Sequence, residues 1–291
     1  MELSLSLEYL LKQRGSSALR DFGQAAALCR DAGFRYVDYS GPYLREDWEA
    51  RAHAQRDMLD AAGIAVEQTH APFNRYGSYD EKDFWAYYRR LFETSAILGA
   101  KYVVVHGDEY PTVDHYDEKE IVAYTYDYLA PFVDYAAAHG MTVAIENLFE
   151  DVVPGRPQIG GKSRFTARLS ELQSIIDRFH TPSVACCWDF GHARCAFGDE
   201  GMLDAMKAMG SQIVCTHVHD NYYGKDLHLM PFLGDTAWEP HMEHLGRIGY
   251  AGKLSFEFVY GHIPDSLLPM WLEEAHRVGE TLIGYAAGPR A

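Results

Sequence analysis

Along the chain, amphipathic helical stretches give way repeatedly to a glycine and then to a short apolar run. The unit recurs as DAGFRYVDYS, AAGIAVEQTH, LGAKYVVVHGD, AHGMTVAIEN, MGSQIVCTHVHD and YAGKLSFEFV. Its glycines (Gly33, Gly63, Gly99, Gly140, Gly210 and Gly252) stand where helices are expected to stop, because glycine adopts the left-handed C-cap conformation without penalty. Two more strand-like runs, LSLSL near residues 3–7 and SVACCWDF near 183–190, bring the set to eight. Residues 19–30, 83–98, 121–138 and 168–179 carry apolar side chains at helical spacing. Strands alternating with such helices predict a parallel sheet. Eight repeats predict an α/β fold in which a single TIM-type (β/α)8 barrel takes up residues 1–291 as one domain, with an open doubly wound sheet as the alternative.

Composition narrows the partners. The 291 residues are 47% apolar, enough for one sizeable core. Against 42 acidic residues stand 26 Lys and Arg, a net charge of −16 that repels phosphate backbones. Nucleic acid is therefore disfavoured as a partner and a small polyhydroxylated molecule is favoured. The five cysteines are odd in number and lie mainly in apolar runs, as reduced buried thiols of a cytoplasmic protein would. The first residues lack a basic start followed by a long apolar stretch, and no run approaches the ~20 residues of a membrane span, so a cytoplasmic protein without membrane attachment is expected.

The strand ends carry the chemistry. Four runs stay apolar until an ionisable residue: VVV meets His106, VAI meets Glu146, ACCW meets Asp189 and IVCT meets His217. IAVEQT reaches His70, and LSF reaches Glu257. In a barrel these ends share the rim where active sites are built. Carboxylates crowded there repel one another unless a cation sits among them, and His with carboxylate donors suits a divalent metal ion. Asp189 and His192 lie three apart just past a strand. Asp226 and His228 alternate with Leu227, so both can face one side of an extended segment. His219 can point away from this cavity, and Asp220-Asn221 can simply be the turn that redirects the chain.

These residues resemble the xylose isomerase-like barrels, a family of sugar and sugar phosphate isomerases and epimerases, inosose dehydratases and endonuclease IV (AP endonuclease family 2). The likeness runs through nearly the whole chain, in THAPF (69–73), IEN (145–147), WDFGH (188–192), HVHDN (217–221), DLHLMPF (226–232) and FEF (256–258). From the epimerases it implies one divalent ion, Mn²⁺ or Zn²⁺ with Co²⁺ or Mg²⁺ as alternatives, on Glu146, Asp189, His217 and Glu257. It also implies proton transfer by Glu146 and Glu257 through a metal-stabilised enediolate, with His192 on the substrate. The epimerases' substrate-binding arginine is replaced by Tyr223. From endonuclease IV the resemblance implies a larger zinc set that adds His70, His106, His192, Asp226 and His228, and hence a phosphodiesterase as the alternative. A lyase of the inosose dehydratase or C-glycoside-cleaving type would begin with the same proton removal. A homodimer is compatible with these relatives.

Other signals carry less. Gly161-Lys162-Ser163 looks like the end of a phosphate loop, but Arg156 stands where the first glycine is needed. Arg164 is a candidate for a substrate phosphate or for pairing with Glu146. Phe73, Trp188 and Trp238, near strand ends, are candidate walls for a sugar ring. His241 and His244 read as the surface of an outer helix.

Overall fold

The computed structural model describes residues 1–12, 20–72, 80–107, 117–150, 164–260 and 263–288. Its strands are β1 (Glu2–Ser6), β2 (Tyr36–Asp38), β3 (Ala65–His70), β4 (Tyr102–Val105), β5 (Thr142–Glu146), β6 (Val184–Asp189), β7 (Ile213–Val218), β8 (Asp220–Tyr222), β9 (Lys225–Leu229) and β10 (Lys253–Phe256). Eight of them close a parallel barrel in the order β1-β10-β7-β6-β5-β4-β3-β2, while β8 and β9 form a separate antiparallel hairpin after β7. The helices are α1 (Leu7–Leu11), α2 (Phe22–Asp31), α3 (Trp48–Ala62), α4 (Glu81–Leu98), α5 (Glu118–Ala138), α6 (Leu169–Phe179), α7 (Phe190–Met209), α8 (Trp238–Arg247) and α9 (Leu268–Ala286). The fold is thus the predicted TIM barrel. Among the described residues no helix is long and apolar enough to cross a membrane.

Helix ends follow local chemistry. α2 starts at Phe22 rather than 19 because the Asp21 carboxylate accepts the Gln24 N–H, and α5 starts before Ile121 because Asp117 accepts from Lys119 and Glu120. Gly63 and Gly99 end α3 and α4 at φ 69° and 72°. Gly252 does not cap a helix: α8 is followed by Gly249 at φ 70°, and a Cβ on Gly252 would lie 2.4 Å from the Tyr250 hydroxyl.

Successive strand side chains face opposite ways, and this alternation sets the rim. Val103, Val105, Val143, Ile145, Cys186 and Trp188 enter the layer between sheet and helices. Tyr102, Val104, Ala144, Cys187 and Cys215 form a separate inner cluster. Two residues beyond Val104, Ala144, Cys187 and Cys215 stand His106, Glu146, Asp189 and His217. The cysteines are all free.

Three expectations need correction. His241 and His244 are buried, not superficial: α8 turns them inward with Met242 and Leu245. His219 does not point away but is fully buried with Nε2 3.1 Å from Asp189 Oδ1. Asp220 is more than a turn residue. Its buried carboxylate accepts N–H groups from Asn221, Phe232 and Thr236 and from the Trp238 indole, tying the β8–β9 segment to α8.

Asp220→Ala would strand these donors in an interior site, at a cost of about 3 kcal/mol or more, whereas Asp220→Asn keeps one acceptor and costs less. Urea denaturation of the two variants against the parent protein checks this order.

Candidate metal centre

Glu146 ends β5 with its carboxylate 1% exposed. Oε2 lies 3.2 Å from His70 Nε2 and 3.1 Å from His106 Nε2. Oε1 lies 3.0 Å from His192 Nδ1 and 3.3 Å from His217 Nδ1. Burial opposes ionisation, but the His217 charge and hydrogen bonds from His106, His192 and His217 hold this carboxyl well below the usual range.

His217, at the end of β7, is the second hub. Besides Glu146, its Nδ1 lies 3.7 Å from Asp189 Oδ2 and 3.5 Å from Glu257 Oε2. Register explains the convergence, since Asp189 pairs with His217 across β6–β7 and Ser255 pairs with it across β7–β10. On the far side of the ring, Nε2 meets Asp38 Oδ2 at 3.2 Å, and Gln68 Nε2 donates to the same oxygen at 3.0 Å. Asp38 ends β2 and was absent from the sequence-level candidates.

A second group lies beside the first. His192, His219, Asp226 and His228 each offer a donor atom within 4.8 Å of the others. His228 Nε2 is 3.3 Å, and His192 Nε2 3.7 Å, from Asp226 Oδ2. His228 Nδ1 donates to the Glu257 carbonyl at 2.7 Å from a left-handed backbone, φ 48°. Gly191 is indispensable to this packing, because a Cβ there would fall 1.8 Å from His219 Cε1.

The donor chemistry fits a cation. A carbonyl only accepts, so the contacts of His70 Nδ1 with Ala71 O (3.2 Å) and His228 Nδ1 with Glu257 O put the protons on Nδ1. In the neutral ring each Nε2 then aims a lone pair at a carboxylate, an arrangement that is favourable only with a proton or a metal ion between them. Metal–donor bonds of about 2.0–2.2 Å place neighbouring donors roughly 3–3.5 Å apart, close to the spacings around His217. The Asp38 carboxylate behind His217 stands where an outer partner would fix the tautomer of a metal-binding imidazole.

The remaining sequence candidates divide. His70, His106, Glu146, Asp189, His192, His217, Asp226, His228 and Glu257 all reach this rim. His192 is only 7% exposed, with Nδ1 also 3.1 Å from the Asn147 carbonyl, so it is not turned to open cavity. Trp188 and Trp238 lie in the core, the latter 5.3 Å from Phe190 with its indole on Asp220, and among the described residues neither lines the cavity beside Glu257 and His70. The Arg164 guanidinium sits 5.0 Å over the Phe149 ring, which is 5.3 Å from His192. Phe73, the phosphate-loop-like segment, Arg156 and most of the 150–164 loop lie outside the described residues.

Comparison with known proteins agrees with the architecture. The profile of the xylose isomerase-like TIM barrel family matches residues 26–279. The uncharacterized protein y4fM of Sinorhizobium fredii (strain NBRC 101917 / NGR234) is 24% identical over 258 residues, covering 79% of this chain and 78% of that one. A D-tagatose 3-epimerase-like protein superposes with a TM-score of 0.72 at 20% identity, over 98% of both chains. The IOLI protein, solved with a zinc atom, superposes at 0.70 and 18% identity, over 99% of this chain and all (100%) of that one.

Protons stand in for a cation in the metal-free protein, and this gives a pH dependence. Burial favours the neutral His228 ring, but the Asp226 hydrogen bond and the Glu257 and Asp226 charges lift it from 6.5 to about 9. A raised folded-state value contributes stability that is complete below about 6.5 and lost as pH rises through about 9. The thermal midpoint of chelator-treated protein is expected to fall by several degrees between about pH 7 and about pH 9.5, and Asp226→Asn to flatten that fall. Thermal melts across this range check both.

Proposed function

Because the chain belongs to the xylose isomerase-like TIM barrel family, we propose that it is a divalent-metal-dependent isomerase or epimerase of a sugar, sugar phosphate or related polyol. The observation that carries this reading is His217 Nδ1, 3.3, 3.7 and 3.5 Å from carboxylate oxygens of Glu146, Asp189 and Glu257, beside a cavity walled in part by Glu257 and His70. Those four residues would hold the ion, with Mn²⁺ or Zn²⁺ best suited to the donors and Co²⁺ or Mg²⁺ as alternatives. The likeness to a D-tagatose 3-epimerase-like protein supports the substrate class.

A bound divalent ion polarises hydroxyl and carbonyl oxygens and so acidifies the C–H bond beside them. Glu257, whose side chain is 18% exposed at the cavity wall, meets the substrate from the open side and takes or gives the proton at Oε2. Glu146, held ionised by its imidazoles, is the second carboxylate of the pair. Removal of a proton by one and its return by the other inverts or relocates the reacting centre. His192 shares its Nδ1 between Glu146 Oε1 at 3.0 Å and the Asn147 carbonyl at 3.1 Å. Asp38 fixes His217 from behind.

The second donor group favours another reading, a multinuclear zinc phosphodiesterase of the endonuclease IV type. The charge of −16 opposes it, since a nucleic-acid backbone would be repelled. A lyase on the same barrel shares the first proton removal.

Elemental mass spectrometry of gently purified protein is expected to find about one Mn, Co or Zn per chain. In a screen of sugars and inositols for exchange of substrate hydrogen with deuterated solvent, Glu257→Gln should slow exchange by about 10²-fold or more. Two or three zincs per chain, with nicking of an abasic duplex, would instead establish the hydrolase. Asp38→Ala should weaken metal affinity by about 10–100-fold with the fold retained, as read by metal titration and circular dichroism.

A further inference from the structure

One acidic group near the rim is used by none of the steps above. Glu8 follows β1 in the first turn of α1 and borders a cavity of about 570 Å³ shared with Asp38, His70 and Glu257. Its Oε1 accepts the Ser40 N–H at 3.2 Å. Among the described residues it has no ion-pair partner. Lys12 on the same wall holds its ammonium 4.7 Å from the Tyr9 ring, and Arg51 is committed to both oxygens of Asp47. Burial and the neighbouring Asp38 carboxylate raise the Glu8 carboxyl to about 7.

A half-buried carboxyl beside a second one, with Lys12 and His70 near enough to ease its charge but no ion pair among the described residues, still costs free energy in the empty protein. Such a cost is retained where a ligand repays it. A carboxyl with a free oxygen offers hydroxyl groups an acceptor, and when protonated a donor as well. Tyr9, Tyr39 and Tyr43 line the same cavity and present ring surface to the C–H face of a polyol. Lys12, Arg45 and Arg51 also line the cavity, but a phosphate placed beside Glu8 would face Asp38 and Glu257 as well. We propose that Glu8 is the specificity-determining residue of the cavity: it receives hydroxyls of the substrate remote from the Glu146–Asp189–His217–Glu257 set and selects an uncharged polyol over its phosphate ester. The inference rests on the isomerase reading for the substrate's orientation, and deepens it by naming the substrate class.

The test is calorimetric titration of the Mn²⁺-loaded full chain, and of its Glu8→Ala and Glu8→Gln variants, with D-fructose, D-tagatose, myo-inositol and D-fructose 6-phosphate. At least one uncharged compound is expected to bind, Glu8→Ala to weaken it by about tenfold or more, and Glu8→Gln by much less, with metal content equal in all three proteins. Unchanged affinity in Glu8→Ala overturns the proposal. So does tighter binding of the phosphate ester than of the parent sugar, with Arg45 at the cavity rim then its natural partner, and so does a panel in which nothing binds. Failure of the metal-dependent reading appears separately, as a chain that takes up no ion, and the effect of Glu8 on polyol affinity is then read on the metal-free protein.

Discussion

Glu146 has lost nearly all of its water, and a carboxylate so placed stays ionised only if positive charge or hydrogen-bond donors replace the hydration shell. Imidazoles of His70, His106, His192 and His217 supply that replacement from separate strand ends. Three of these rings have a fixed acceptor as well: the Ala71 carbonyl for His70, the Asn147 carbonyl for His192 and the Asp38 carboxylate for His217. One buried carboxylate therefore dictates the tautomers and orientations of side chains drawn from β2 to β7. His70, His192 and His217 are held toward carrying a proton or sharing a cation with it, whereas burial and the His70 charge push His106 down to about 3, so that ring faces the carboxylate in its neutral form.

The backbone around the hub is tied in the same spirit. Asn147 accepts the Asp189 N–H and donates to the Asp189 carbonyl, locking the end of β5 to the end of β6. Asp189 accepts the His192 N–H at 2.6 Å, so a candidate ligand is also the N-cap of α7. Asn221 donates to the Gly191 carbonyl and accepts from Leu227 N–H, bringing the β8–β9 hairpin over the rim. Side chains held by such contacts keep their geometry without a ligand, as the proposed proton transfer would require.

The barrel and most of the rim were legible because both follow from short periodicities. Alternation along β4 to β7 puts the ionisable end residue on the inner face wherever the residue two before it faces inward. The same rule, pressed one residue further, turns Trp188 outward, since it adjoins inward-facing Asp189. Helical spacing likewise groups His241 with Trp238, Met242 and Leu245 on the buried face of α8. Asp38 and Glu8 had no comparable local signal. YVD reads as an ordinary short strand, and LEYLL as the start of an amphipathic helix. Asp38 comes beside His217 only once barrel closure brings β1 and β2 round to β10 and β7, and Glu8 comes beside Ser40 only once β1 pairs with β2. His219 and Asp220 were obscured for a related reason: the β8–β9 hairpin, absent from a simple strand–helix count, decides which way they point.

The number of ions and the role of His192 are one question. With Nδ1 taken up by Glu146 Oε1 and the Asn147 carbonyl, only Nε2 is available to bind anything else, and Nε2 is directed at Asp226. Against burial, the Asp189 charge and the hydrogen bonds to Asp226 and Glu146 raise this ring well above the ordinary histidine value, so in the metal-free chain a proton neutralises what a second cation would otherwise neutralise. If His192 joins His219, Asp226 and His228 around an ion, it cannot also grip substrate through Nε2. If that group stays protonated, Asp226 and His228 form a charged wall, and His192 Nε2–H is the donor closest to hand for a substrate oxygen that displaces Asp226. The mononuclear isomerase and the multinuclear hydrolase thus differ at this rim in what occupies the space between His192 and Asp226, while the Glu146–His217 hub serves both.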